Sequence, residues 1–243
     1  MKAMILAAGF GTRLKPYTDH KPKALIKING TPMLELLIKK LISFGINDII
    51  INVHHFAEKI IAFLKSKNNF GINIQLSIET QILGTGGGIK KAAYFFENGQ
   101  PFLVHNVDII TNVDLNEFYR QHIEKKHLAT LAVKKRETSR YFKVDQYNLI
   151  CGHVNKKNNI ARIVKQPTGT THALAFSGIH IISPQIFPFI TKQGFSSIVD
   201  VYLKLIKAGY TIGVYRMDDC YWKDLGRIEN VKEVEADLVD GVL

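Results

Sequence analysis

The chain has 243 residues, 46% of them hydrophobic, so it can bury a substantial core, and we predict one domain over residues 1–243. Its net charge of +11 could suit nucleic acid, but the Lys and Arg residues are dispersed, without zinc-finger spacing or a stacked aromatic motif, so we expect no nucleic-acid partner. No apolar stretch reaches membrane-span length and the start lacks a signal-peptide pattern, so we expect a cytoplasmic protein that binds no membrane.

The first half alternates between two hydrophobic periods. Period-2 or continuously apolar runs predict strands, and 3.6-residue spacing predicts helices. The predicted strands are 2–7, 48–53, 72–78 and 101–105, and the predicted helices are 33–44, 56–64, 87–95 and 114–125, the last capped by Asp114. Strands that alternate with helices indicate a mainly parallel sheet, whose ligands bind beyond the carboxyl ends of the strands.

The second half changes to short runs separated by turn signals. Such runs are typical of antiparallel strands and hairpins. They lie at 128–134, 141–145, 149–154, 160–164 and 174–182, followed by a helix at 197–207, a strand at 210–215, a loop at 221–226 and a helix from Ile228. We therefore predict an α/β fold with a Rossmann-like, mixed sheet flanked by helices and a small antiparallel lobe. Cys151 and Cys220 lack a paired motif and are expected to be free thiols.

The first strand ends in a small-residue loop with a cationic continuation. Its sequence is Leu6-Ala7-Ala8-Gly9-Phe10-Gly11-Thr12-Arg13. Two glycines expose backbone N–H groups, and Arg13, Lys15, Lys21 and Lys23 follow within eleven residues, a combination that suits a polyphosphate. The loop matches neither the dinucleotide fingerprint nor the P-loop. A glycine pair alone would favour a solvated basic turn, and it is the addition of Arg13 and Pro22-Lys23 that favours a phosphate site.

These motifs resemble those of the sugar-1-phosphate nucleotidyltransferases, which join a nucleoside triphosphate to a sugar 1-phosphate and release pyrophosphate. The resemblance extends along the whole chain. It continues at Gly84-Thr85-Gly86-Gly87-Gly88, Asn106-Val107-Asp108, Phe176-Ser177-Gly178-Ile179 and Trp222-Lys223-Asp224-Leu225-Gly226. It implies a glycosyltransferase-A-like nucleotidyltransferase fold, with residues 1–125 binding the nucleotide and 126–243 the acceptor, in a monomer or small homo-oligomer. No hexapeptide repeat is present, so we expect no C-terminal β-helix.

The resemblance is greatest to short enzymes that act as N-acetylmuramate 1-phosphate uridylyltransferases, and next to mannose-1-phosphate guanylyltransferases. It therefore favours UTP and N-acetylmuramate 1-phosphate as substrates. Mannose-1-phosphate guanylyltransferase, another sugar- or alcohol-phosphate nucleotidyltransferase, and a non-catalytic nucleotide-sugar sensor remain as alternatives.

The resemblance also implies which residues form the site. Mg²⁺, which prefers hard oxygen ligands, would bind Asp108 and Asp224. Arg13 and Lys23 would be catalytic, with Arg13 on the β- and γ-phosphates and Lys23 on the α-phosphate. The nucleotide would contact Leu6, Ala7, Ala8, Gly9, Gly11, Thr12, Arg13, Lys23, Glu79 (or Gln81), Thr85 and Gly86.

The acceptor side matches the family less closely. Ser177 and Gly178 resemble the sugar-facing strand of the family, and we expect Asn106 to reach a sugar hydroxyl. Lys165 is the nearest match to a lysine that contacts the sugar phosphate, displaced by one position, so either Lys165 makes that contact or the contact is missing. Val107 stands where many relatives have glycine.

Overall fold

The computed structural model describes residues 1–190 and 194–242. Within them the α-helices are α1 (Met33–Ser43), α2 (Ala57–Ser66), α3 (Gly84–Lys91), α4 (Leu115–Lys125), α5 (Ile198–Lys207) and α6 (Ile228–Val239). The strands are β1 (Ala3–Leu6), β2 (Lys27–Ile28), β3 (Thr31–Pro32), β4 (Asp48–Val53), β5 (Asn73–Ile78), β6 (Phe102–Asn106), β7 (Ile109–Thr111), β8 (Ala129–Lys134), β9 (Arg140–Asp145), β10 (Ile150–Asn155), β11 (Ile160–Ile163), β12 (Thr171–Ile182), β13 (Ile212–Arg216) and β14 (Trp222–Asp224).

The chain forms two compact units. The first comprises Met1–Ile82, Val104–Val113 and Cys220–Leu243, and the second comprises Leu83–Leu103 and Asp114–Asp219. In the first unit β1 and β5 pair in parallel with the two edges of β4. The last three residues of β6, Val104 to Asn106, also belong to this unit, and β6 neighbours β1 in the sheet. Two small antiparallel ladders, β2–β3 and β7–β14, complete its strands.

A hydrophobic cluster in the first unit fixes the C-terminal helix beside the N-terminal loops. Its buried members are Leu14, Ile26, Ile28, Met33, Leu225, Val231 and Val234. Burial of such side chains stabilises a fold by about 1.5–3 kcal/mol each. The cluster therefore fixes the segments on either side of Arg13, Lys23 and Asp224, three of the predicted site residues.

The second unit contains the antiparallel ladder. Its order is β11-β10-β9-β12, and β12 also pairs with β8, which pairs in parallel with β13. The pairing of β12 with β8 shifts register between Phe176 and His180, and Gly178 within that shift has φ 76°. A residue with positive φ at a register shift is typical of a β-bulge.

The structure confirms the predicted fold class and corrects two local predictions. Residues 221–226, predicted as a loop, include β14, and the helix predicted at 87–95 begins at Gly84 and ends at Lys91, followed by a 3-10 turn at Ala93–Phe96. Neither Cys151 nor Cys220 takes part in a disulfide within the described residues. Within the described residues, no helix combines the length and apolar character needed to cross a membrane.

Candidate phosphate and metal site

The loop after β1 presents a row of backbone donors. Gly11 adopts φ 66°, and a Cβ there would lie 2.9 Å from Thr18 Cγ2 and 3.1 Å from Lys23 Cβ, so the position requires glycine for both conformation and space. Thr18 Oγ1 donates to Gly11 O at 3.0 Å and holds the turn. Among the described residues, no group accepts a hydrogen bond from the N–H groups of residues 9–12. Four consecutive open amides have the donor geometry that suits an anion, and binding of phosphate here stays a prediction.

Lys23 lies in the same unit and is mostly buried. Its ammonium pairs with Asp108 Oδ2, and the two side chains are only 12% and 15% exposed. Burial lowers the pKa of Lys23 to about 8, the Asp224 carboxylate opposes that shift, and the Arg13 guanidinium adds to it. These interactions bring together Arg13, Lys23, Asp108 and Asp224, the four charged residues predicted from the sequence for catalysis and metal binding.

The two aspartates are held together by the β7–β14 ladder. Asp224 pairs in register with Ile109, and the Leu225 N–H donates to Asp108 O at 2.8 Å. From α6, Asn230 Nδ2 donates to Asp224 O at 2.5 Å. Backbone pairing thus brings together two segments that are far apart in sequence, and the carboxylates of both aspartates interact electrostatically with Lys23.

The Arg13 guanidinium lies in the space that a side chain at position 226 would fill. The position that a Cβ would occupy at Gly226 overlaps the Arg13 guanidinium and lies 2.8 Å from Asp224 Oδ1. The Gly226 N–H donates to that same oxygen at 2.7 Å. Only a residue without a side chain lets the guanidinium approach the segment that carries Asp224 this closely.

The donor set fits a magnesium ion. Mg²⁺ takes hard oxygen ligands and commonly uses one or two carboxylates together with substrate phosphates and water. Asp108 and Asp224 supply two carboxylates, and each makes one side-chain hydrogen bond within the described part of the chain, to Lys23 and to the Gly226 N–H. Larger groupings of three or more His, Cys, Asp or Glu suited to a metal are absent from the described residues.

Val107 does not disturb this arrangement. It is buried, its N–H donates to Leu6 O at 3.1 Å, and it is not among the residues with positive φ. A side chain at this position is therefore compatible with the backbone that presents Asp108.

The glycine run belongs to the second unit and is engaged in packing there. Cβ atoms at Gly84 or Gly86 would lie 2.6 or 3.1 Å from Ser196 O, and the Gly86 N–H donates to that oxygen at 2.8 Å. Thr85 Oγ1 accepts from the Ile198 N–H at 3.1 Å, at the start of α5. These groups therefore have structural partners, and their contact with a nucleotide stays a prediction.

The residues predicted for the acceptor lie in both units. In the second unit Lys165 is exposed and follows β11, whereas Ser177 and Gly178 lie in β12, three strands away in the ladder, with Ser177 fully buried. Asn106 ends β6 in the first unit, and its carbonyl lies 2.8 Å from His105 Nδ1. Their acceptor role likewise stays a prediction.

Sequence reasoning missed one polar residue beside the loop of residues 7–13, which we call the phosphate loop because the sequence predicts that it binds phosphate. Asn52 is only 3% exposed and contacts both Ala7 and Glu79. A lone carboxamide at the end of the apolar run Ile49-Ile50-Ile51-Asn52-Val53 is a signal that could have revealed it. Glu79, predicted to contact the nucleotide, is itself 2% exposed.

Curated relatives with named activities match most of the chain. It is 31% identical over 234 residues to mannose-1-phosphate guanyltransferase 2 of Candida glabrata. The aligned region covers 93% of this chain and 62% of that relative. It is 32% identical over 244 residues to the UTP–glucose-1-phosphate uridylyltransferase of Synechocystis sp., which covers 94% of this chain and 61% of the relative. The chain thus spans just over three-fifths of the length of these relatives.

Solved structures share the fold over nearly the full length. HddC from Yersinia pseudotuberculosis complexed with GMP-PN superposes with a TM-score of 0.74 at 25% identity, covering 98% of this chain and 99% of that one. The inositol-1-phosphate CTP transferase from T. maritima superposes with a TM-score of 0.77 at 16% identity, covering 99% and 96%.

The family model for nucleotidyl transferases matches residues 2–241, a span that includes the phosphate loop, Lys23 and both aspartates. The chain therefore belongs to the nucleotidyl transferase family, as its resemblance to sugar-1-phosphate nucleotidyltransferases predicted.

Proposed function

We propose that this protein transfers a nucleoside monophosphate from a nucleoside triphosphate to a sugar 1-phosphate and releases pyrophosphate, with Mg²⁺ as cofactor. The observation that carries the proposal is the convergence, within one unit, of four open loop amides with Arg13, Lys23 and the Asp108–Asp224 pair. Open amides and cations suit the phosphates, and paired carboxylates suit the metal.

The chemistry needs no nucleophile from the protein. An oxygen of the sugar phosphate attacks the α-phosphorus, the bond from that phosphorus to the bridging oxygen breaks, and pyrophosphate leaves. Both reactants are anions, so the protein must align them and neutralise charge. In the proposal, the loop amides and Arg13 bind the β- and γ-phosphates, and Lys23 stabilises charge at the α-phosphate. Mg²⁺ held by Asp108 and Asp224 would supply further neutralisation of the phosphate oxygens.

For the substrates, we propose UTP with N-acetylmuramate 1-phosphate first, on the strength of the motifs along the chain. GTP with mannose 1-phosphate is the second candidate. Two observations favour it: the 31% identity to a mannose-1-phosphate guanyltransferase, and the 25% identity to HddC, which was solved with GMP-PN.

The test is a grid of nucleoside triphosphates against sugar 1-phosphates. UTP, GTP, CTP, ATP and dTTP are each combined with N-acetylmuramate, glucosamine, glucose and mannose 1-phosphates, and pyrophosphate release is measured with MgCl₂ and with EDTA. We expect release from at least one pair, dependent on the metal. Preference for GTP with mannose 1-phosphate would replace the first substrate assignment, and no release from any pair would contradict the enzymatic proposal.

A pair of matched variants ties the activity to the site. Asp108→Asn and Asp224→Asn remove a charge while preserving shape, and either should lower turnover roughly 100-fold or more. Asp48→Asn is the control, because Asp48 begins β4, at the end opposite to the phosphate loop, and its side-chain oxygen accepts only from Asn73 Nδ2 within the described residues. The control should retain wild-type turnover.

A further inference from the structure

We propose that Asn52 is a positioning residue that sets the course of the phosphate loop through the Ala7 N–H. The inference deepens the proposed function and rests on it only for its activity measurement, since phosphate binding tests it directly. It concerns atoms that belong entirely to the first unit.

The sheet register places Asn52 at the point where the loop begins. Asn52 pairs with Leu6, the last residue of β1, and with Ser77 on the other side of β4. Residues paired directly across a parallel sheet point to the same face. The side chain of Asn52 therefore lies between the segments that leave the carboxyl ends of β1 and β5.

Its carboxamide bridges those two segments. Asn52 Oδ1 accepts from the Ala7 N–H at 2.8 Å, and Asn52 Nδ2 donates to Glu79 Oε1 at 2.7 Å. Glu79 is fixed in turn, because its N–H donates to Val53 O at 2.8 Å and its carbonyl lies 2.7 Å from His54 Nδ1. An amide N–H can only donate and a carboxylate accepts, so the partners determine which way the carboxamide points.

No other side chain of similar size meets both demands. Asp would oppose a second carboxylate to Glu79, and Leu or Ala would leave the Ala7 N–H without its acceptor in a buried setting, where Ala7 is 7% exposed. A buried N–H without a partner is strongly disfavoured, so the backbone at Ala7 would move. The open amides of residues 9–12 begin two residues later, and their position depends on that backbone.

A donor–acceptor exchange tests the bridge. Asn52→Asp breaks it by placing two carboxylates together, whereas the double variant Asn52→Asp/Glu79→Gln restores it with the donor now at position 79. Ser77→Ala is the matched control, because Ser77 occupies the paired position on β5, is also buried, and its hydroxyl has no hydrogen-bond partner in the described structure.

The readout is the affinity for magnesium pyrophosphate, measured by calorimetry beside thermal unfolding. Pyrophosphate has no base, so a contact of Glu79 with the nucleotide base does not affect it. We expect N52D to weaken binding about tenfold to a hundredfold, the double variant to return within about threefold of E79Q, and S77A to bind like wild type. If N52D does not fold, Asn52→Ala takes its place and should show the same loss.

Two results would overturn the proposal: wild-type pyrophosphate affinity in folded N52D or N52A, or a folded double variant that binds as weakly as N52D while E79Q binds normally. A purely structural role would lower the melting temperature of N52A without changing the affinity of the folded protein. If the wild type forms no product with any substrate pair yet shows this affinity pattern, the proposed function fails and the role of Asn52 stands.

Discussion

The ammonium of Lys23 is the cation most deeply placed among the described site residues. The ammonium is paired with Asp108 and its side chain is only 12% exposed, so few water molecules can hydrate it in the site. A preorganised charge in a poorly hydrated site stabilises developing charge more strongly than one in water does. Lys23 should therefore matter more to turnover than to folding.

We predict that Lys23→Ala lowers kcat roughly 100-fold to 1000-fold, the range seen when one preorganised donor is removed from an active site. Pyrophosphate release under saturating substrates gives kcat, and circular dichroism establishes that the variant is folded. Lys27→Ala is the charge-matched control, since Lys27 lies in β2 and is exposed. A folded Lys23→Ala protein with near-wild-type kcat would contradict the role assigned to Lys23.

A second residue-scale prediction concerns Gly226. The added methyl of Gly226→Ala would overlap the end of the flexible Arg13 side chain and crowd Asp224 Oδ1. The guanidinium can swing away, so the unfolding free energy should change by less than about 1 kcal/mol. Loss of a charged hydrogen bond should raise the KM for the nucleoside triphosphate about tenfold. The KM for the nucleoside triphosphate is measured by steady-state kinetics at a fixed concentration of sugar 1-phosphate. An unchanged KM would show that Arg13 does not contact the nucleotide.

At the scale of secondary-structure elements, hydrophobic spacing predicted what is local. Continuous apolar residues gave β4 with its observed bounds, and 3.6-residue spacing gave α1 to within one residue. The ladder β7–β14 was missed because three-residue strands carry little periodicity, and Trp222 pairs with Thr111 more than a hundred positions away. The charges of the site were visible in the sequence, but the pairing that brings Asp108 to Asp224 was not.

The helix α3 shows why propensity alone was insufficient. Glycine disfavours a helix interior by about 1 kcal/mol relative to alanine, so the sequence predicted a loop before residue 87. In the structure the small residues pack against Ser196, and the backbone hydrogen bonds to that residue hold the first turn. Asn52 illustrates the same limit for the site, because its partners follow from strand register and not from its own sequence neighbours.

The N-terminus of α4 offers a prediction at this scale. Asp114 Oδ1 accepts from the N–H groups of Asn116 and Glu117 at 2.9 and 3.1 Å, so it caps the helix as predicted. We expect Asp114→Ala to lower the unfolding free energy by about 1 kcal/mol and Asp114→Asn, an equally good cap, to change it little. Urea unfolding measures both, and equal losses in the two variants would show that charge, rather than capping, is what stabilises the helix.

For the whole molecule, the strongest prediction concerns acid stability. His122 on α4 is 1% exposed, with Nδ1 2.8 Å from Thr130 Oγ1 and Nε2 3.1 Å from Ser183 Oγ. Burial lowers its pKa to about 4, and the neighbouring His127 contributes in the same direction. His105 is likewise fully buried, and burial lowers its pKa to about 4. Both histidines are therefore neutral in the folded protein at neutral pH.

In the unfolded chain these histidines bind protons near pH 6.5, whereas in the folded chain they resist protonation until about pH 4. The stability that the two neutral histidines contribute is therefore complete above pH 6.5 and is lost as the pH falls towards 4. For His122, the difference in pKa between the two states contributes on the order of 3 kcal/mol to the free energy of unfolding. His122→Gln should start from a lower melting temperature at pH 8 because two buried hydrogen bonds are perturbed, yet it should lose less between pH 6.5 and 4. The test is to measure the melting temperatures of the wild type and of His122→Gln across that pH range. The two curves should converge as the pH falls, because the loss that remains in the variant comes from His105 and the carboxylates. Parallel curves would mean that His122 does not stay neutral in the folded state.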